Sequence, residues 1–286
     1  MTDAQTPLRD IDKPHYDYFQ ALYLSFFSNR LYIDVGRRWK GFAIIYLLLL
    51  FVITSLPVAV RIILNFNNYF EQQIILPIKN LPPFYIQNGE VTLDKPMPYL
   101  VKNKENKVIA AVDTSGTIKQ IDSKYPDLAI LIVKDGLFYR IPESQGLNNV
   151  DIKINKIPFD KNMNQYFDGA QWLNSSGVHK LKLFSQIIIY PTIVASLFFM
   201  YLVILLVLAL LGQVIALAIF RYSITYRQAV RLLNVAATPH IVSFMILLAL
   251  NWLFSGFGLA LVAILAFYFC YAVLSLKRDS TKLVNV

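Results

Sequence analysis

Charged side chains leave three long gaps in the chain: none falls within 41–60, 183–220 or 238–276. Uninterrupted apolar runs of this length are the pattern of a polytopic membrane protein. The first run, GFAIIYLLLLFVITSLPVAV, is long enough to span, and 41–64 is read as a first transmembrane helix that is an uncleaved anchor rather than a signal peptide. Arg37, Arg38 and Lys40 stand just before it and hold that end in the cytoplasm. The N-terminal segment 1–40 is cytoplasmic, and its aromatic-rich stretch YFQALYLSFFSNRLYIDV predicts an interfacial helix.

The second run, 183–220, would extend about 50 Å as a helix against a hydrocarbon thickness of roughly 30 Å. One long tilted or protruding helix, bent at Pro191, fits it. The third region, 238–276, breaks at Ser255-Gly256-Phe257-Gly258 and reads as a tight hairpin of two spans, with a re-entrant pair as the alternative. The tail 277–286 carries Lys277, Arg278 and Lys282. Four spans place both termini in the cytoplasm and residues 65–182 outside, and the cytoplasmic Lys/Arg bias agrees.

Residues 65–182 change pattern to that of a folded module. Asn88-Gly89 and Asp135-Gly136 are hairpin turn signals between strand-like sequences. GEVTLD and VDIKIN alternate apolar and polar positions, as half-buried strands do, whereas VIAAVD and LAILIV are short continuous runs suited to a sheet centre. FDKNMNQYFDGAQWL predicts a helix before the chain re-enters the membrane. The predicted fold class is therefore a four-span α-helical membrane bundle with an inserted extracytoplasmic α+β domain, mainly antiparallel β.

Between the second and third runs lies 221–237, with Arg221, Arg227 and Arg231. Its apolar residues recur at helical spacing, so it predicts an amphipathic basic helix in the membrane plane. Its arginines are candidates for contact with lipid phosphates or a partner, and Thr238-Pro239 would open the third span.

Composition sharpens this picture. The chain is 56% hydrophobic and only 16% charged, and its net charge of +9 is scattered or placed beside apolar runs, which argues for membrane flanks rather than nucleic acid. One cysteine, Cys270, permits neither an internal disulfide nor a cysteine metal site. Phosphate-binding and dinucleotide motifs are absent, and no cofactor or metal is implied. Asp113-Thr114-Ser115-Gly116 has a superficial likeness to the Asp-Thr-Gly loop of aspartic proteases, but Ser115 intervenes and a strand ending in a turn explains it. No catalytic constellation emerges. In the runs, Gln213, His240 and Asn251 are candidate intramembrane polar contacts, ordinarily helix-to-helix hydrogen bonds.

NRLYIDVGRRWKGFAIIYLLLL, NGEVTLDKPMPY, VIAAVDTSG, KDGLFYR and YRQAVRLLNVAATP together resemble the bacterial domain-of-unknown-function family 1189, within the wider group of Yip-type polytopic membrane proteins. The resemblance implies a bacterial inner-membrane protein and supplies no catalytic residue. In the wider group, members are associated with membrane organisation and partner binding. The sequence thus points to a non-enzymatic scaffold or binding component that works with the lipid bilayer, a membrane or envelope protein partner, or a second copy of itself. The alternative is an accessory or permeation component of lipid or sugar transport of the maltodextrin type, a label some relatives carry.

Overall fold

The computed structural model describes residues 13–103, 105–122, 124–140 and 154–284. Lys104 and residues 150–153, the first four residues of VDIKIN, lie outside the described residues. The helices are α1 (Tyr18–Leu24), α2 (Asn29–Arg37), α3 (Ile44–Thr54), α4 (Leu56–Phe70), α5 (Leu76–Lys79), α6 (Gly169–Ser175), α7 (Val178–Phe220), α8 (Tyr226–Leu250) and α9 (Phe257–Val284). The chain divides into two compact units, Met1–Ile62 with Ile188–Val286, and Ile63–Ile187.

The first unit is helical. Asp17 and Ser28 accept from the first-turn amides of α1 and α2 and so start them. The segment expected at an interface is thereby two short helices, with Leu31, Tyr32 and Val35 of α2 buried in the unit's core. The first apolar run is not straight either. It bends by 44° between α3 and the helical stretch that follows. Pro57, which lacks an amide to give Ile53, and Thr54, whose hydroxyl donates back to Leu50 O at 2.8 Å, both act at that bend.

Helix α7 starts earlier than the apolar run suggests, at Val178, and its 43 residues extend about 65 Å with Pro191 inside. Its buried positions, Val194, Phe198, Tyr201, Leu205, Ala209, Gly212 and Ala216, recur every three or four residues and form one narrow stripe. The other faces expose Phe199, Val203, Leu210 and Val214. A helix apolar all round yet buried along one stripe suits a hydrocarbon surround. Gly212 lies on the stripe because a Cβ there would come within 2.7 Å of the Phe269 ring on α9.

Helix α8 revises the expectation for 221–237. A capping box between Thr225 and Gln228 begins it, and it continues to Leu250 with Pro239 inside rather than in a first turn. Every residue from Ala229 to Ile241 is buried within the unit. From Tyr226 onward the basic segment is therefore the first half of a long packed helix, not a separate helix lying flat. Asn251 ends it in the left-handed conformation, φ 54°. The break before α9 spans 251–256, somewhat earlier than the glycine signal indicated. Among the described residues, three helices, α7, α8 and Phe257–Thr281 of α9, are long and apolar enough to cross a membrane, consistent with a membrane protein.

The second unit holds a mixed sheet region. Its strands are β1 (Phe84–Gln87), β2 (Glu90–Thr92), β3 (Tyr99–Lys102), β4 (Val108–Asp113), β5 (Ile130–Val133), β6 (Gly136–Arg140), β7 (Ile154–Pro158) and β8 (Gln165–Phe167). They form a three-stranded sheet in the order β2-β1-β8 and a five-stranded sheet in the order β3-β4-β5-β6-β7. All pairings are antiparallel except β4 with β5, which is parallel.

Asn88-Gly89 makes the β1–β2 turn as read, both residues at positive φ. The β5–β6 turn slips by one residue to Lys134-Asp135, since Gly136 already pairs with Val133 and Pro158. A Cβ on Gly136 would lie 2.8 Å from Ile157 O, so the glycine serves strand approach rather than the turn. VIAAVD and LAILIV are continuous runs because their strands pack against two apolar clusters, Ala110, Val112 and Ile132 in one and Ala111, Leu131 and Val133 in the other. In FDKNMNQYFDGAQWL the expected helix forms only as its end. The middle is β8, and Asp168 then caps α6 by accepting from Ala170 N and Gln171 N at 2.9 and 3.0 Å.

Candidate functional site

Two places concentrate side chains that could act, one in each unit. In the sheet unit, the inward residues of β1, Phe84 and Ile86, face a cavity of about 260 Å³. Ile130 and Ile132 of β5, Leu137 of β6, Phe167 of β8 and Trp172 of α6 complete most of its wall. Phe84 and Phe167 stack with centroids 4.8 Å apart, and Trp172 lies 6.5 Å from Phe167. Among the described residues, the one polar side chain lining it is Gln165, which is solvent-exposed. The space exceeds the roughly 150 Å³ that holds benzene in an engineered apolar cavity. Such a wall can hold a hydrocarbon chain or a ring, with Gln165 offering an amide to a neutral polar end.

Gly169 makes this wall possible. A Cβ there would sit 1.9 Å from Ile78 O, so only glycine lets the start of α6, and with it Trp172, lie against α5. No hydrophobicity pattern announces this residue.

At the end of β4 the buried Asp113 carboxylate accepts from Ser115 N at 2.9 Å, Ser115 Oγ at 2.5 Å and Ile118 N. Burial alone would raise its pKa, but the hydrogen bonds from Ser115, Ile118 and Gly116 outweigh it and hold the group below the usual carboxylate range. The Asp-Thr-Ser-Gly stretch is thus a turn closed around its own aspartate.

In the helical unit the candidate arginines part company. Arg221 is exposed at positive φ just after α7, and Arg227 is exposed with its guanidinium 6.0 Å from the Phe42 ring centroid. Arg231 is buried at 9% exposure and donates to Trp39 O and, at 3.1 Å, to Gly36 O. These are carbonyls at the C-terminal end of α2, where the helix dipole favours a cation. Gln228 Nε2 donates to Gly36 O at 3.2 Å, and Asn234 Nδ2 to Phe42 O at 2.7 Å. One turn further, Thr238 Oγ1 meets Tyr46 OH at 2.5 Å.

On α2 itself stands a residue the sequence did not single out, Asp34. Buried at 1% exposure, it accepts from His15 N, Tyr16 N, Trp39 Nε1 and Arg38 Nη1 at 3.0–3.2 Å. Tyr32 donates to Ser25 O at 2.5 Å, and burial pushes its phenol pKa well up. Asp34 and Tyr32 brace the segment around α2 from within, and Gln228 and Arg231 tie it to α8 through backbone carbonyls, a role no residue-type pattern could reveal.

Gln213, His240 and Asn251 are not brought together. Gln213 donates to Ile224 O at 3.0 Å, where α7 ends. His240 lies between Tyr201 OH at 3.0 Å and Leu261 O at 2.8 Å. Asn251 caps α8.

A family model described as "Protein of unknown function (DUF1189)" matches residues 19–274. The chain belongs to the DUF1189 family. The match runs from α1 to within α9, so it takes in both the helical unit and the sheet unit of this DUF1189 chain. No curated protein and no solved structure matches it.

Proposed function

We propose that this DUF1189 protein is a non-enzymatic, membrane-anchored binding protein whose sheet unit captures an apolar ligand or the apolar end of a partner. The observation that carries the reading is the cavity walled by Phe84, Ile132, Phe167 and Trp172, with no charged residue among the described residues that line it. The bent first run and α7, α8 and α9 would supply four crossings of a bacterial inner membrane, leaving both termini in the cytoplasm and 65–182 on the far side. A permeation component of lipid or sugar transport would want Gln213, His240 and Asn251 along one hydrated path, and each is instead held singly.

The test uses the full chain in lipid nanodiscs with a photoreactive medium-chain fatty acid as probe. Cross-links should map to Ile78–Ile86 and Phe159–Trp172, and Met163→Trp, which fills the space, should abolish them. Cross-links that ignore Met163→Trp would remove the binding role. In cells, an impermeant maleimide should label a cysteine placed at the exposed Lys119 in a Cys270→Ser background. Labelling only after lysis would reverse the orientation.

A further inference from the structure

Helices α3 and α4 meet the last turns of α8 around a groove of about 360 Å³. Ile53, Thr54 and Pro57 form one side, and Met245, Ile246 and Ala249 part of the other. Thr54, the polar residue among those lining the groove, spends its hydroxyl on Leu50 O, so the wall presents hydrocarbon. Ile53, Ile246 and the adjoining Leu250 are 39%, 53% and 65% exposed, which leaves the groove open along its length.

One turn beyond Pro57, on the same face of α4, stands Arg61. Its Nη1 donates to Leu248 O at 2.8 Å and Ala249 O at 3.3 Å, the closing carbonyls of α8. Both bonds use one nitrogen. Among the described residues, Nη2 and Nε of this half-exposed guanidinium have no protein partner, and no carboxylate pairs with it. Just past Leu250 the chain turns through Trp252 and Phe254, exposed at 65% and 46%. Exposed aromatics of this kind settle at the level of lipid headgroups.

A hydrocarbon groove that ends at an unneutralised arginine, beside an exposed aromatic turn, has the chemistry of one molecule. We propose that this groove holds a diacyl phospholipid, with an acyl chain between α3 and α8 and its phosphate on the free nitrogens of Arg61. The planar guanidinium already oriented by two carbonyls presents its remaining donors as a fork, the geometry that recognises phosphate oxygens. The apolar length of the groove is what separates this occupant from free phosphate. The inference rests on the reading that these helices lie in a membrane, which is checked separately by whether the chain fractionates with membranes.

Native mass spectrometry of the full chain, released from mild detergent after delipidation, tests it with dioleoyl phosphatidylglycerol, dioleoylglycerol and inorganic phosphate as probes. One phospholipid should bind saturably per chain. Dioleoylglycerol, which lacks the phosphate, should bind about tenfold more weakly. Inorganic phosphate should not displace the lipid. Arg61→Gln, which removes the charge and the forked donors, and Ile246→Trp, which blocks the groove at an exposed position, should each lower phospholipid affinity about tenfold while a cooperative thermal transition shows both variants folded. Equal affinity for dioleoylglycerol, displacement by phosphate, non-saturating lipid attachment, or two folded variants that bind as the parent does would each overturn the proposal.

Discussion

Replacing Arg231 with methionine removes the guanidinium and keeps most of the side-chain volume. Trp39 O loses the donor seen here and becomes a buried acceptor without a partner, which costs about 1–3 kcal/mol. Gly36 O keeps Gln228 at 3.2 Å, so there only the extra strength of a charged bond is lost, about 1–2 kcal/mol. Against this, the variant no longer buries a cation that has no ion-pair partner among the described residues, recovering part of the desolvation cost. The balance is a destabilisation of about 2 kcal/mol, or a fall in Tm of about 5 °C for a chain of this size. Differential scanning fluorimetry of the purified chain in one detergent reads it directly. Arg231→Lys should fall between, because an ammonium on a single stem cannot fork to two carbonyls. Loosening should also make the peptide bonds between α2 and α3 cleavable by trypsin at Arg37, Arg38 and Lys40. A methionine variant that melts at or above the parent temperature, with that segment still protected, would show that Arg231 is not what fastens α2 to α8.

Two further outcomes follow from the sheet unit. Gly169→Ala should cost about 1–3 kcal/mol and weaken capture of the apolar probe, since its methyl must push α6 away from Ile78 O; Gly258→Ala, with open space around it, should do neither, and thermal melting with probe cross-linking separates them. The Asp113 carboxyl has a folded pKa below its unfolded value near 3.9. Its contribution is therefore full above about pH 4 and lost as pH falls through the lower, folded value. Asp113→Asn should lower stability at neutral pH and flatten the acid limb of a Tm-against-pH curve; an unchanged acid limb would refute the assigned hydrogen bonds.

The elements that sequence displayed well were those governed by local chemistry. Asn88-Gly89 reads as a two-residue turn because positive φ at both positions is a property of the turn itself. Asp135-Gly136 misled by one residue because its glycine answers to β7, a neighbour distant in sequence. FDKNMNQYFDGAQWL looked helical throughout, yet pairing of Phe167 and Tyr166 with Phe84 and Tyr85 drew its middle into a strand, a tertiary contact that overrides local propensity. The basic stretch 221–237 showed helical spacing correctly, but whether its polar face meets phosphate or protein depends on what packs there. For Arg231 that is the end of α2. Asp34 was invisible for the same reason, since two of its donors are backbone amides almost twenty residues earlier in the chain. The apolar cavity was equally hidden, being assembled from two sheets and α6.

The single stripe along α7 sets unequal tolerances around one helix. At Phe199, Val203, Leu210 and Val214 any side chain that oil accepts should serve, so those positions are free to drift among aliphatic and aromatic types. At Gly212 the aromatic ring opposite admits almost nothing larger than hydrogen. Random substitution along this helix should therefore scatter widely on three sides and fall silent on the fourth.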